Sequence, residues 1–376
     1  MSLHVLNLRM PKQRRRGFTL MEMLIVIAIM LLLVIATLPR IKQTMDDSKL
    51  RESSRQLSSY FAMAKARAAA TGRPCGVWFV SEQLGDPAGV PPNATFQSSQ
   101  MYLAEVPAPY SGDVLESKVV VTDTNGNQLA SAANGPAWRL NFIPAANSLT
   151  TLIQPGESFL IRFDHKGPIF NGTRNLNDGF FYVTGGPTVP PTANGLYDAN
   201  TNPNAGYQYE IVRNAQRIGA PLNLPRGTSI DLAYSGMGNF GVDFFAAQTS
   251  FNNNGFPAAP AVLVLFTPEG RVGNVTYRSW DFSNSQYVTI SNDAQGTIHF
   301  LVGRPEKVGL GLPQSNLVDN NALWVSVGRL TGSVTTTENA PNIDFVFSNP
   351  PTQQEQRNYL TIAREFAITQ DVKGGQ

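Results

Sequence analysis

The chain contains a single cysteine, Cys75, in 376 residues. No internal disulfide can form, and cysteine usage is silent about compartment. A lone Cys at the start of a strand-like run reads as a small buried hydrophobe. Histidine is nearly as scarce: His4, His165 and His299 are too few and too scattered for a metal site or a catalytic triad. His165 in FDHKG reads as a turn residue and His299 in TIHFLV as a strand residue. The sequence has no Gly-x-Ser-x-Gly elbow and no His-Glu-x-x-His, so nothing supports a hydrolase.

Charge is also thin, at 15% of residues, and unevenly placed. Arg9, Lys12, Arg14, Arg15 and Arg16 precede a long apolar run whose single acid is Glu22. Without those five bases and that acid, the 29 basic and 27 acidic residues become 24 and 26, so the formal +2 gives way to a near-neutral body of about −2. A globally basic nucleic-acid surface is excluded, because phosphate binding needs clustered Lys or Arg. Gly (32) and Pro (26) are plentiful, which suits a turn-rich β protein better than a helical bundle.

The apolar run, Phe18 to Leu38, has only Thr19, Glu22 and Thr37 as polar members. About 20 helical residues span a bilayer core, so 18–38 is a candidate transmembrane helix, with the basic N-terminus on the cytoplasmic side. A cleaved secretory signal has a shorter apolar region ending in A-x-A, and Ala36-Thr37-Leu38-Pro39 fits that poorly. An uncleaved signal anchor is the plainer alternative. After Pro39 the helical pattern turns amphipathic: Leu50, Leu57, Phe61, Ala64 and Ala68 share a face with Ser54, and Asp46, Asp47, Lys49, Arg51, Glu52 and Arg55 lie between them. Gly72 supplies a C-cap and Pro74 prevents continuation, predicting one helix over 18–72, its second part 40–71 laid on a folded head.

From 73 to 376 the pattern is of short strand-like runs: CGVWFV (75–80), MYLAEV (101–106), KVVVTD (118–123), SFLIRFD (158–164), FFYVTG (180–185), YQYEIV (207–212), SIDLAY (229–234), AVLVLFT (261–267), QYVTI (286–290), TIHFLVG (297–303) and ALWVSVG (322–328). Polar Gly/Pro/Asn loops fall at 87–93, 185–206 and 250–260. Tyr359, Leu360, Ile362, Ala363 and Phe366 place a last amphipathic helix at 352–370. The fold class expected is α+β, a long N-terminal helix packed on an antiparallel β-rich head.

Basic residues, then Gly17, then Phe18-Thr19-Leu20-Met21-Glu22-Met23-Leu24-Ile25-Val26-Ile27-Ala28-Ile29, resemble the class III leader of type IV pilins and type II secretion pseudopilins. The resemblance implies that residues 1–17 are a leader removed by a prepilin peptidase after Gly17. It further implies that Phe18 becomes the N-methylated new N-terminus, and that Pro39 marks a helix kink. On the same resemblance, Glu22 pairs with the Phe18 amine of a neighbouring subunit as a filament grows; the rival reading is that Glu22 snorkels to the membrane interface. MAKARAAATGRPCGVWF (63–79), LPRGTSIDLAYSG (224–236), VLFTPEGRVG (264–273) and ALWVSVGRLTGSV (322–334) are similar to the GspH/FimT group of minor pseudopilins and minor pilins, with an apparent insertion around 81–223.

The resemblance implies a non-enzymatic subunit in the bacterial inner membrane, N-terminus cytoplasmic, its head periplasmic or in a surface filament. The implied partners are the prepilin peptidase and other pilins or pseudopilins; nucleic acid is not expected. A binding module on this scaffold, for DNA uptake or adhesion, is the alternative. Gly236-Met-Gly238-Asn-Phe-Gly241 matches a dinucleotide fingerprint but is read as a hairpin loop. Asp123-x-Asn125-x-Asn127 and Asp198-x-Asn200-x-Asn202-x-Asn204 alternate oxygen side chains as a calcium loop does, without the glycine and terminal glutamate of an EF-hand. No cofactor is expected; calcium is the one cation kept open.

Overall fold

The computed structural model of the chain describes residues 20–84, 95–122, 138–185, 206–238, 242–244, 262–281, 286–310, 312–340, 348 and 352–374. Helix α1 (Leu20–Thr71) runs for 52 residues without a glycine. It stops where Gly72 takes a φ of 65° and its N–H bonds the Ala68 carbonyl at 3.0 Å, a left-handed cap that glycine adopts without steric cost. The chain divides into two compact units, 1–49 and 50–376, and α1 contributes to both.

In the second unit α1 buries Leu50, Leu57, Tyr60, Phe61, Ala64 and Ala68 on one face. Phe61 is the centre of that contact, its ring 5.5 Å from Phe300, 6.0 Å from Phe79 and 6.1 Å from Phe266. Ser53 is buried on this face too and exchanges a hydrogen bond of 2.6 Å with Thr228, so the hydroxyl is not left dry and unpaired.

The helix packs on an eleven-stranded antiparallel sheet. Its strands are β1 (Cys75–Leu84), β2 (Thr95–Glu105), β9 (Gln216–Asn223), β10 (Ser229–Met237), β11 (Val242–Asp243), β12 (Val262–Phe266), β13 (Val272–Asp281), β14 (Gln286–Asp293), β15 (Ile298–Gly303), β16 (Leu323–Val327) and β17 (Val334–Glu338). The order is β14-β13-β12-β1-β2-β10-β15-β16-β17. Both β9 and β10 pair with the same edge of β2, β10 at Gln97 and Ser98 and β9 from Gln100 to Glu105. Strands β12, β15 and β16 are buried on both faces, which explains their nearly continuous apolar sequences. The opposite face, around Tyr234, Leu301, Leu317 and Trp324, is covered by Tyr359, Leu360, Ala363 and Ala367 of the C-terminal helix α3 (Gln353–Gly374).

Between β2 and β9 lies a second, six-stranded antiparallel sheet, inside the segment 81–223. It comprises β3 (Lys118–Thr122), β4 (Trp138–Ile143), β5 (Ser158–Phe163), β6 (Ile169–Arg174), β7 (Phe181–Gly185) and β8 (Tyr209–Arg213), in the order β3-β4-β7-β6-β5-β8. Its two edges meet. Val119 of β3 and Tyr207, just before β8, exchange backbone hydrogen bonds of 2.8 and 3.0 Å, closing the sheet into a barrel. The core inside is its own: Phe159, Phe163, Phe170, Phe181, Tyr209 and their neighbours all come from 110–211, with Leu149 of the short helix α2 (Asn147–Leu152) among them. Gly172 is required by this packing, because a Cβ there would lie 2.4 Å from the Phe159 ring.

The strand-like runs read from the sequence all fall on or against observed strands. The sequence reading did not include β4, β6, β9, β11, β13, β17 or α2. Strand β9 (QRIGAPLN) contains glycine and proline and is largely exposed, and β17 (VTTTE) is polar. Both are held by a neighbour's ladder rather than by their own apolar pattern.

Candidate functional site

The stretch that carries the sequence motif enters the structure at Leu20. Glu22 lies in the first described turn of α1. Around it every large apolar side chain from Leu20 to Val34 is exposed, from 41% at Val26 to 85% at Leu20. Burying one such side chain is worth roughly 1.5–3 kcal/mol, so a bare stretch of this kind calls for lipid or other apolar helices around it. Among the described residues no helix is long and apolar enough to cross a membrane. The described side chains of this stretch end at Val34, short of the about 20 residues a span needs. Gly17 and Phe18 lie outside the described residues; Pro39 lies within α1.

Further along α1 the helix end is tied to the head by ion pairs. Glu105, at the end of β2, is nearly buried and takes Arg67 Nε on one oxygen at 2.8 Å and the Arg73 guanidinium on the other. Lys65 donates to the Thr331 carbonyl at 2.7 Å, and the turn from Phe266 to Gly270 joins β12 to β13. A shallow cleft of about 310 Å³ is lined by Glu52, Arg55, Gln56, Ser59, Tyr60 and Leu222. Gln56 donates to Glu52 at 3.0 Å, and no nucleophile paired with a base lines the cleft.

The remaining sequence candidates are accounted for as structure. His165 follows Asp164 as the central pair of a tight turn at the start of the loop from β5 to β6, with φ of 54° and 52°, closed by Lys166 N–H to the Phe163 carbonyl at 3.1 Å. His299 is sealed in β15, its Nδ1 2.9 Å from Ser326 Oγ. Burial, with a smaller contribution from the Arg364 charge, pushes His299 down to about 3, so it stays neutral. Gly236 lies in β10 opposite His299, one residue before the strand's end, and Gly238 turns with φ of 66° back to bond Thr297; Asn239 to Gly241 lie outside the described residues. His4, Asp123 to Asn127 and Asp198 to Asn204 also lie outside them. Among the described residues no group of three or more His, Cys, Asp or Glu could hold a metal. Cys75 is buried, and burial raises its thiol pKa.

Arg364 is the residue that the sequence reading missed. It sits wholly buried under α3 and donates to the Tyr234 carbonyl at 2.8 Å and the Gly238 carbonyl at 3.2 Å, at the point where the β10–β15 register shifts between Asp231 and Gly236. The signal was present: Arg364 falls four residues after Leu360, on the apolar stripe of the helix.

Residues 12–38 match the family model described as the prokaryotic N-terminal methylation motif. The match supports a type IV pilin-like protein. This motif is that of structural subunits of the pilin and pseudopilin type, and it implies processing by a prepilin peptidase and assembly with other pilins. It covers the end of the basic segment and the apolar run; the patches similar to the GspH/FimT group lie beyond it. No curated protein matches the chain, and no solved structure does.

Proposed function

We propose that the chain is a minor pseudopilin or minor pilin, a non-enzymatic subunit of a type II secretion pseudopilus or a type IV pilus-like filament. The observation that carries this reading is the methylation motif at 12–38 leading into a helix whose apolar side chains are bare from Leu20 to Val34 and whose later turns bury Phe61 in a β-rich head. On this reading the peptidase cuts after Gly17 and methylates Phe18. Residues 18–38 hold the chain in the inner membrane until the filament extracts it, and the head stays outside the cytoplasm. Cleavage creates an amine at Phe18 with an ordinary pKa of about 8, and methylation keeps it cationic. Glu22 pairs with that amine on the neighbouring subunit, setting axial register where apolar packing alone lets helices slide.

Two measurements test the reading separately. Intact mass and N-terminal sequencing of membrane-extracted protein are expected to give a chain beginning at methylated Phe18; a chain still beginning at Met1 in cells with an active peptidase overturns the processing step. Glu22→Ala is expected to leave membrane insertion unchanged and to reduce recovery in sheared filaments by about tenfold, the equivalent of ~1.4 kcal/mol. Normal recovery removes the pairing role.

A second reading, a binding module carried on the same scaffold, is favoured by the barrel between β2 and β9, a self-contained fold that the helix contact does not need. The near-neutral body points it towards protein or glycan rather than DNA.

A further inference from the structure

Between the sheet and the elements that cover it, polar side chains are sealed from water: Asp231, Ser235, His299 and Ser326 of the strands, Asn316 of the segment between β15 and β16, and Arg364 of α3 are all buried. A carboxylate in such a place is costly unless a cation or a full set of donors satisfies it. Asp231 has no exposed surface, and no ion pair reaches it among the described residues. Its Oδ2 accepts from Asn316 Nδ2 at 3.0 Å and its Oδ1 from the Ala233 N–H at 3.2 Å. Directly across the β2–β10 ladder stands Gln97, nearly buried, whose Oε1 is sealed and accepts no hydrogen bond. Side chains opposite each other in such a pair are about 5 Å apart at Cβ, so the Asp231 carboxyl and the unsatisfied Gln97 oxygen are neighbours on one face of the sheet.

We infer that Asp231 is held as the neutral acid in the folded head, shares its proton with Gln97, and on losing it loosens the segment 304–322 that Asn316 fastens over it. Asn316 is the tie because its side chain also accepts from the Arg304 N–H at 2.9 Å and donates to the Arg304 carbonyl at 3.0 Å, engaging both backbone groups of the residue that follows β15. Gly303 leaves room for it, since a Cβ there would lie 2.4 Å from the Asn316 amide. The charged groups around the site are otherwise engaged. Lys307 bonds Asp319 at 2.7 Å within the covering segment, Arg364 of α3 bonds the Tyr234 and Gly238 carbonyls, and His299 of β15 is neutral. Arg304 bonds the Asn316 side chain through its backbone, and the Tyr234 hydroxyl accepts from Gln356 of α3 at 3.0 Å.

Burial pushes the Asp231 carboxyl up to about 7, with Asn316 and the backbone donors pulling it down by less. The folded value lies above the unfolded one, so the associated stability is full below about 4 and is lost as pH rises through about 7. An ionised Asp231 recovers hydration most cheaply by opening the segment fastened to it, which uncovers Leu312 and Leu317.

The test uses the full chain in detergent. Amides of 304–322, corrected for intrinsic chemistry, are expected to exchange about tenfold faster at pH 9 than at pH 6, and Asp231→Asn, which copies the neutral acid in shape and adds a donor towards Gln97, is expected to abolish the difference. A difference that persists in Asp231→Asn, or that is absent from the unsubstituted chain, overturns the proposal. If Asp231→Asn does not fold, carbon-detected titration of aspartate carboxyls in the unsubstituted chain decides: one carboxyl titrating near neutrality supports the proposal, and all titrating in the ordinary acidic range overturn it.

Discussion

Two arginines show how the same side chain is worth different amounts in different surroundings. Arg67 is about half exposed and shares Glu105 with Arg73, so its loss leaves the carboxylate one partner and open to water from one side. Arg67→Ala is expected to cost about 1 kcal/mol or less. Arg364 is fully buried, and among the described residues it donates to the carbonyls of Tyr234 in β10, where the ladder is irregular, and of Gly238 just past the strand's end. Arg364→Leu removes a costly buried cation but leaves both carbonyls dry, and each unsatisfied group costs about 1–3 kcal/mol. The expected order in urea unfolding is therefore Arg364→Leu well below Arg67→Ala, by about 2 kcal/mol or more. Equal midpoints would show that water replaces the guanidinium under α3.

At the scale of elements, α3 depends on how its first turn is closed. Glu355 accepts from the Thr352 N–H at 2.7 Å and from the Ser348 hydroxyl at 2.6 Å, while the Glu355 N–H donates to the Thr352 hydroxyl at 3.2 Å, a reciprocal capping box. These bonds, that from Ser348 foremost, hold Glu355 down to about 2. A depressed carboxylate gives stability that is complete above its unfolded value, about 4.3, and is lost as pH falls through about 2. Glu355→Ala is expected to raise amide exchange in the first turn of α3 at pH 7, with the gap closing as pH approaches 2. The apolar run of β15 and the cap at Gly72 were read from sequence; the helix at 352–370 was placed by its apolar spacing alone, without the Thr-x-x-Glu cap. Strands β9 and β17 were not readable, because Gly219, Pro221 and the threonines at 335–337 follow no period and only neighbouring strands hold them extended. For the candidate site, the sequence marked Glu22 and the apolar stretch that the structure leaves bare; the Arg364 contacts depend on the β10 irregularity, which no local pattern announces.

For the whole molecule, the decisive feature is where the barrel is attached. Glu105, the last residue of β2, pairs directly with Gln216, the first of β9, so the chain leaves the main sheet and re-enters it across a single ladder rung. Among the described residues the barrel core draws none from the main sheet, and the buried face of α1 packs on the latter. A hairpin is thus already present in outline, interrupted by a separate domain. Replacing residues 107–214 by Asn-Gly joins Val106 to Ala215 through a two-residue turn of the kind that matches strand twist. The shortened chain is expected to unfold cooperatively, to keep the Arg67–Glu105–Arg73 bridge, and to enter filaments as well as the full chain does, because neither Glu22 nor the Phe61 contact is touched. Incorporation lost together with folding would make the barrel part of the scaffold. Incorporation lost by a folded, membrane-inserted shortened chain would make the barrel itself a filament contact, and its exposed surface rather than the helix would then carry the specificity of assembly.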